Sequence, residues 1–241
     1  MKIIRFDIRK GIYLTELTNF ASNFHTHPAM EILLAHEGSF SIVTPKKNFE
    51  NLRFAIIDSN IEHKLKVVES KVDILLVEHC DAFLKNYFLV RNLKIVDGLH
   101  VSKSKIDQLI ILEIISEIAL KSTHDEYDPR VQKVIEFLRK SPVSYFDLRR
   151  RTQEITSLSY SRFSHLFKQN LGMSLKKYLV WCNLRNTIEA HLNQKEELMG
   201  ALLSNGFYDQ PHFNKCYKAF IGTTPARTYR QQNLTSFDSQ S

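Results

Sequence analysis

Short apolar segments rich in Ile, Val, Leu and Phe recur through roughly the first 90 residues of the chain. Turn-like clusters such as residues 44–48 and 58–60 separate them, and this arrangement is typical of β-strands. Many short strands at this spacing favour a sandwich or a barrel. The segments predicted as strands are Ile3–Ile8, Glu31–Ala35, Phe40–Val43, Phe54–Ile57 and Val72–Val77.

The period of the apolar positions becomes helical near Ser102. Ile106, Ile110 and Ile114 belong to a predicted helix over about 103–121 that is apolar around most of its circumference. Because such a helix is not stable with most of its sides in water, we predict that it packs on the β domain and contributes to a dimer. Packing within its own domain alone is the alternative.

A polar stretch over residues 121–128 is the predicted linker, and the pattern beyond it is almost entirely helical. Asp128 suits the N-cap of the first of these helices and Pro129 its first turn. Leu175–Leu192 is predicted as one helix, about 27 Å long at 1.5 Å per residue.

An internal repeat with an offset of fifty residues aligns Tyr160–Ser174 with Gln210–Thr224. Both copies contain an aromatic residue, three residues, an aromatic–Lys pair, three residues and a glycine. Ser159 and Asp209 are suitable N-caps for the two helices, and Gly172 and Gly222 suit their left-handed ends. Duplication of a short helical unit indicates a repeated architecture.

On a helical projection each copy has an aromatic side and a polar side. Short polar and cationic side chains of this kind contact base edges and phosphates in a major groove. The polar sides comprise Ser161, Arg162, Ser164, His165 and Lys168 in the first copy, and Pro211, His212, Asn214, Lys215 and Lys218 in the second.

A helix and a tight turn precede each copy, as helix-turn-helix geometry requires. Leu148–Ile155 and residues 156–158 precede the first copy, while Leu198–Ser204 and Asn205-Gly206 precede the second. The connecting helix between the copies has a length that suits major grooves about one DNA turn, ~34 Å, apart.

The charge is distributed very unevenly. Residues 1–127 contain 16 Lys and Arg against 17 Asp and Glu, whereas residues 128–232 contain 17 against 8. A nearly neutral part is thus followed by one of net charge +9, which is typical of a polyanion-binding module fused to another domain. A basic surface without such a partner is the alternative.

Residues 129–232 resemble the DNA-binding domain of the AraC/XylS family of bacterial regulators. The run Gly206–Arg230 carries most of the resemblance, and Leu158–Lys168 with Gly172 follows the signature of the first unit. The chain departs from the family at Ala201-Leu202, at Asn183 and around residues 149–155. The resemblance implies a transcription regulator, more often an activator, that binds double-stranded DNA, with RNA polymerase as a candidate partner. It implies base-facing positions at Ser161, Arg162, Ser164, His165, Gln210, Pro211, His212, Asn214 and Lys215.

His25, His27 and Glu31 are all odd-numbered, so in an extended strand they would face one side and form three corners of a metal site, with His63 as the fourth. Pro28 interrupts that strand. The run also resembles the first sequence motif of cupins, with His63 where a later motif has its histidine. A divalent metal is therefore a candidate cofactor, and an apolar ligand pocket without metal is the alternative.

Cys80, Cys182 and Cys216 are far apart and form no CxxC motif, which suits a reducing compartment. Cys182 and Cys216 fall on apolar helix faces and are predicted to be buried. Leu109–Leu120 is the most apolar stretch, and it is shorter than the ~20 residues of a membrane span. No targeting segment is recognisable, so we expect a cytoplasmic protein that has no membrane partner.

The predicted fold class is α+β with two domains. A cupin-like β-barrel sensor over 1–100 precedes a dimerisation helix and linker over 101–127, an all-α domain with two helix-turn-helix units and a connecting helix over 128–232, and a flexible tail over 233–241. We expect a homodimeric, sequence-specific DNA-binding regulator, not an enzyme, that senses a small molecule or a metal. The alternatives are a cupin metalloenzyme with an appended DNA-binding domain and an adaptor that binds another regulator.

Overall fold

The computed structural model describes residues 2–78, 82–120, 127–140, 142–192 and 194–228. The chain forms two compact units, one of residues 1–122 together with 217–241 and one of residues 123–216. Most of the predicted linker, at residues 121–126, and the predicted tail over 233–241 lie outside the described residues, as does Cys80. The predicted domain boundaries stay predictions.

Eight antiparallel strands form the sheet of the first unit, in the order β1-β2-β7-β3-β6-β8. β4 pairs with β5 and with residues 64–67 at the start of β7, whereas β3 pairs with residues 71–77 at its end. The sheet therefore curls around this long strand. The strands are β1 (Lys2–Asp7), β2 (Ile12–Ala21), β3 (Met30–Glu37), β4 (Phe40–Val43), β5 (Asn48–Leu52), β6 (Phe54–Ile57), β7 (Lys64–Val77) and β8 (Leu99–Ser102).

The strands predicted over Phe40–Val43 and Phe54–Ile57 have the observed bounds. Those predicted over residues 3–8, 31–35 and 72–77 are present with different limits, and β7 extends the last of them by eight residues. β2, β5 and β8 were not predicted. β2 is stabilised by pairing with β1 on one side and β7 on the other, which its own sequence does not reveal.

Alternate residues of β3 face opposite sides of the sheet. Ile32 and Leu34 belong to a core shared with two helices, while Leu33 and Ala35 belong to a second core formed by the other face of the curled sheet. Glu31 and Leu33 are two residues apart in β3 and therefore face the same side, so the Glu31 carboxylate faces this second, interior core.

Two helices cover the first face, α1 (Ala82–Val90) and α2 (Leu109–Leu120). α1 was not predicted, and α2 begins later than the expected position near 103. Ile110, Ile111 and Ile114 join the core beneath them, as the broad apolar pattern predicted. Leu109 and Leu112 on the outer side remain 55% and 60% exposed in the single chain.

Six further helices follow, and the predicted bounds of α6 and α7 are the observed ones. Asp128 caps α3 by accepting the Arg130 backbone N–H at 2.9 Å, as expected. Within the described part of the chain, no helix is both long and apolar enough to cross a membrane. The helices are α3 (Pro129–Lys140), α4 (Tyr145–Thr156), α5 (Tyr160–Leu171), α6 (Leu175–Leu192), α7 (Leu198–Ser204) and α8 (Gln210–Ile221).

Candidate functional site: two recognition helices and a His/Glu cluster

The first helix-turn-helix unit consists of α4, a turn and α5. Ser157 adopts the left-handed conformation at φ 56°, and the Ser159 hydroxyl accepts the Arg162 backbone N–H at 3.4 Å. Gly172 ends α5 at φ 71°. Both predicted caps of α5 are therefore present. α4 is longer than the predicted 148–155, because Ser144 caps it three residues before Asp147.

Aromatic rings hold α5 against the connecting helix. Phe163 and Phe167 are fully buried, with their ring centroids 6.0 Å apart. The Phe167 ring lies 5.4 Å from that of Tyr178 on α6. The aromatic side of α5 is thus the packed side, as the helical projection predicted.

The second helix-turn-helix unit is formed by α7, the turn at Gly206 and the start of α8. Gly206 has φ 84°, a left-handed conformation that favours glycine, and a Cβ there would displace the Asn183 amide nitrogen, which would lie 2.8 Å away. The Asp209 carboxylate accepts the His212 backbone N–H at 2.7 Å. Phe213 is fully buried, and its ring lies 5.3 Å from that of Phe207.

Four buried side chains converge within the β domain, with donor atoms that all lie within 4.8 Å of one another. We call His25, His27, Glu31 and His63 the His/Glu cluster. Its members were predicted, but the expectation that three of them share one strand is wrong, because β3 begins only at Met30. Instead, His25 and His63 exchange backbone hydrogen bonds of 3.0 and 3.1 Å, and this bridge brings the two segments together.

Each histidine of the cluster has its Nδ1 close to a backbone carbonyl two residues away. A carbonyl oxygen only accepts, so Nδ1 carries the proton and, in the neutral ring, Nε2 keeps its lone pair. This orientation by an outer carbonyl is characteristic of histidines that ligate metals. The pairs are His25 with Asn23 at 3.0 Å, His27 with Ala29 at 2.9 Å and His63 with Ile61 at 2.9 Å.

Electrostatics within the cluster favour a carboxylate at its centre. One Glu31 oxygen lies 3.1 Å from His27 Nε2 and 3.0 Å from His63 Nε2. Burial alone would raise the pKa of Glu31, but the charge of His63 and the hydrogen bonds that His27 and His63 donate when their Nε2 atoms are protonated outweigh it and hold that pKa far below its usual range. Burial would likewise lower the pKa of His63, but Glu31 raises it. Burial and the neighbouring histidines lower the pKa of His25 to about 3.

The donor set consists of three imidazole nitrogens and one carboxylate oxygen, all in buried residues. These ligand types suit Zn²⁺ and other divalent first-row ions. The outer carbonyls already fix the orientation of the three rings. The residues therefore fit such an ion.

The C-terminal helices are similar in sequence to those of known proteins. Residues 153–232 match the family described as a helix-turn-helix domain. The arabinose operon regulatory protein of Salmonella typhimurium is 27% identical over 135 residues, which cover 52% of this chain and 47% of that protein. The C-terminal helices form a helix-turn-helix domain similar to that of this arabinose regulator, and we call it the AraC-type domain for that similarity. The chain spans about half the length of this curated relative.

Most of the chain has the fold of a solved structure, that of ToxT. Apo ToxT from Vibrio cholerae superposes with a TM-score of 0.56 at 8% identity, over 90% of this chain and 96% of ToxT. A second ToxT structure gives 0.53 at 12% identity over the same shares. Likeness at such low identity concerns the fold alone. The predicted fold class, α+β with a β domain plus helix and an all-α domain of two helix-turn-helix units joined by a connecting helix, is confirmed.

Most predicted contact residues of the AraC-type domain are exposed to solvent. Ser164, His212 and Asn214 are only partly so, and the His212 ring stacks on that of Tyr208 with centroids 5.8 Å apart. We call the exposed polar sides of α5 and α8 the recognition surface. Its exposed members are Ser161, Arg162, His165, Lys168, Gln210, Pro211, Lys215 and Lys218.

The basic run on α4 of the AraC-type domain is partly neutralised within its own helix. Arg150 lies 3.2 Å and Arg151 3.1 Å from Glu154 carboxylate oxygens. The Arg149 guanidinium lies 5.4 Å from the centre of the Tyr160 ring. Residues 149–151 therefore form an exposed helix face that is partly paired within α4.

Sequence reasoning missed the backbone carbonyls that orient the cluster histidines. Asn23, Ala29 and Ile61 act through main-chain atoms, so no residue type marks them. Of the cysteines, Cys182 is buried as predicted, whereas Cys216 is only partly buried. Burial also raises the pKa of the Cys216 thiol.

Proposed function

We propose that this protein is a sequence-specific, DNA-binding transcription regulator whose β domain responds to a divalent metal. One observation carries the DNA-binding part: α5 and α8 both bury an aromatic side and expose a side of polar and cationic groups suited to base edges and phosphates. The match of residues 153–232 to a helix-turn-helix domain supports it.

Replacing Lys215, which is exposed on α8, tests the recognition surface. Lys215→Ala should weaken binding to a duplex from upstream of the protein's own gene by about 1–3 kcal/mol, because an exposed cation beside bases or phosphates is lost. Fluorescence anisotropy with the full chain measures this. Lys103→Ala removes an exposed lysine of the β domain and serves as the matched control. Equal affinities of the two variants would contradict the assignment of α8.

The His/Glu cluster is the proposed sensor site, and its converging Nε2 atoms and central carboxylate support this proposal. His25, His27, Glu31 and His63 would hold the ion, which supplies a positive charge that cross-links β3 to the bridge between His25 and His63. ToxT bound to a naphthalenyl-substituted butenoic acid has been solved, so an organic acid is the second effector class to test. The oriented imidazoles favour the metal.

Glu31→Gln should lower the affinity for Zn²⁺ at least about 100-fold, since even outer-shell changes in metal sites cost 10–100-fold. The amide keeps the shape of the side chain and removes its charge. Competition with a chromogenic chelator measures the affinity. The control is Glu37→Gln, at the exposed end of the same strand. If both variants bind Zn²⁺ like the parent protein, the cluster is not the site.

A second copy of the chain is the proposed partner of α2. Leu109 and Leu112 are more than half exposed on its outer side, and burial of such side chains stabilises association. A dimer also doubles the number of recognition helices on one DNA site. Activation of transcription, through contact with RNA polymerase, is proposed from the family resemblance.

The His/Glu cluster is also the observation that favours the second candidate function, a cupin metalloenzyme. A metal with three imidazole ligands and an open position activates water or substrate in such enzymes. Turnover of a small substrate by the metal-loaded protein, abolished in Glu31→Gln, would favour this candidate. A regulator instead requires that Lys215→Ala impair specific DNA binding.

A further inference from the structure

The segment Ser22–Thr26 of the first unit carries His25 and also contacts the residues that end α8. The Asn23 backbone N–H donates to the Gly222 carbonyl at 2.6 Å, and the Asn23 side-chain amide donates to the same oxygen at 3.2 Å. The Thr26 backbone N–H lies 3.5 Å from the Ala219 carbonyl. One short segment thus satisfies carbonyls at the end of α8 that the helix itself leaves unpaired.

Asn23 is shared between this contact and the His/Glu cluster. Its carbonyl accepts the hydrogen bond from His25 Nδ1 at 3.0 Å, while its N–H donates to Gly222. The chain of contacts therefore runs from the ligating ring of His25, through one residue, to the last carbonyl of α8. The Asn23 side-chain amide donates to the same Gly222 oxygen, so the side chains of His25 and Asn23 both contribute to this chain of contacts.

Gly222 permits the close approach. Its φ is +75°, and a Cβ there would lie 2.6 Å from Ser22 Cβ, 2.7 Å from the Asn23 oxygen and 2.7 Å from His25 Nδ1. Separations under 3 Å between such atoms force something to move. Gly222 is therefore both the left-handed end of α8 and one wall of the space around a cluster histidine.

We propose that occupation of the His/Glu cluster by a divalent cation controls the position of the end of α8 through Asn23 and Gly222, and thereby the DNA affinity of the second recognition helix. The proposal rests on the proposed function of the cluster and of α8. A cation bound to His25 Nε2 restricts the ring and polarises its Nδ1–H, which tightens the hydrogen bond to Asn23. By linkage, DNA must then change the metal affinity by the same factor as the metal changes the DNA affinity.

The first test needs no DNA. Gly222→Ala, although it replaces no ligand, should lower the Zn²⁺ affinity of the full chain by at least about 5-fold, the lower end of ordinary coupling between sites. Gly172→Ala is the matched control, because Gly172 ends α5 in the same left-handed conformation at φ 71°. It should bind Zn²⁺ like the parent protein. Equal Zn²⁺ affinities of the two variants would overturn the proposal, and so would a parent protein that binds no Zn²⁺ or Mn²⁺.

Asn23→Ala provides a second variant in case Gly222→Ala does not fold. It removes the side-chain donor to Gly222 and leaves the backbone and all four proposed ligands in place. Hydrogen–deuterium exchange of the parent protein should slow on addition of Zn²⁺ in peptides that cover residues 217–222. In Asn23→Ala this protection should be weaker while Zn²⁺ still binds. Undiminished protection in the variant would argue against the route through Asn23.

The DNA step is tested separately by measuring the affinity for the upstream duplex with and without saturating Zn²⁺. We expect a change of at least about 5-fold in the parent protein and a smaller change in Asn23→Ala, which loses one of the two hydrogen bonds from Asn23 to Gly222. A parent protein that binds both Zn²⁺ and DNA, each without effect on the other, would overturn the regulatory inference and leave the proposed function intact. Failure to bind DNA under any condition would instead refute the proposed function.

Discussion

Raising the salt concentration from about 50 to 200 mM should lower the affinity of the full chain for its specific duplex by about 10⁴-fold. Arg162, Lys168, Lys215 and Lys218 are all exposed on α5 and α8, and a dimer carries two sets of them. Each phosphate that a cation neutralises releases counterions, so the logarithm of the affinity falls with the logarithm of the salt concentration at about −0.9 per contact. Eight contacts predict a slope of about −7.

The same titration distinguishes one bound copy from two. A single copy with four contacts would give a slope of about −3.6 and a loss of only about 100-fold. Titration of Lys215→Ala should reduce the slope of the dimer by almost two, since one contact is lost from each copy. A slope near zero would show that the recognition surface does not contact phosphates.

Phe213→Ala should destabilise the second compact unit by about 3–5 kcal/mol, the usual cost of removing a buried aromatic ring. Phe213 is fully buried and packs edge-on against Phe207 at 5.3 Å, so truncation leaves a cavity beneath the start of α8. The loss is large compared with the 5–15 kcal/mol of a typical domain. Urea denaturation measures it.

Trp181 is the single tryptophan of the chain, and it is buried in α6. It belongs to the same compact unit as Phe213, so tryptophan fluorescence follows the unfolding of that unit. The matched control is Phe146→Ala on α4, where the ring is 83% exposed, and it should change stability by no more than about 0.5 kcal/mol. Phe213→Leu should cost less than Phe213→Ala, since most of the volume is retained. Coincident unfolding curves for both alanine variants would refute the assigned packing.

The helices of the AraC-type domain could be predicted closely because their determinants are local. The Ser159 and Asp209 caps join residues three apart in the chain, and Gly172 and Gly222 end helices whose apolar stripe the sequence displays. Strand pairing is not local. β2 pairs with β7, about fifty residues away, and β8 pairs with β6, more than forty residues away, so the segment alone does not show the partner that stabilises either strand. β5 pairs locally with β4 and was missed because its sequence is mostly polar.

The chain by itself determined the helix-turn-helix units, the polar and aromatic sides of α5 and α8, and the four side chains capable of holding a metal. Only the tertiary structure decided how those four meet. His25 reaches His63 through a backbone bridge, the outer carbonyls select the histidine nitrogens that face inward, and Asn23 contacts Gly222, 199 residues later. Such contacts depend on how the sheet closes and on backbone conformation, and main-chain atoms are the same in every residue type.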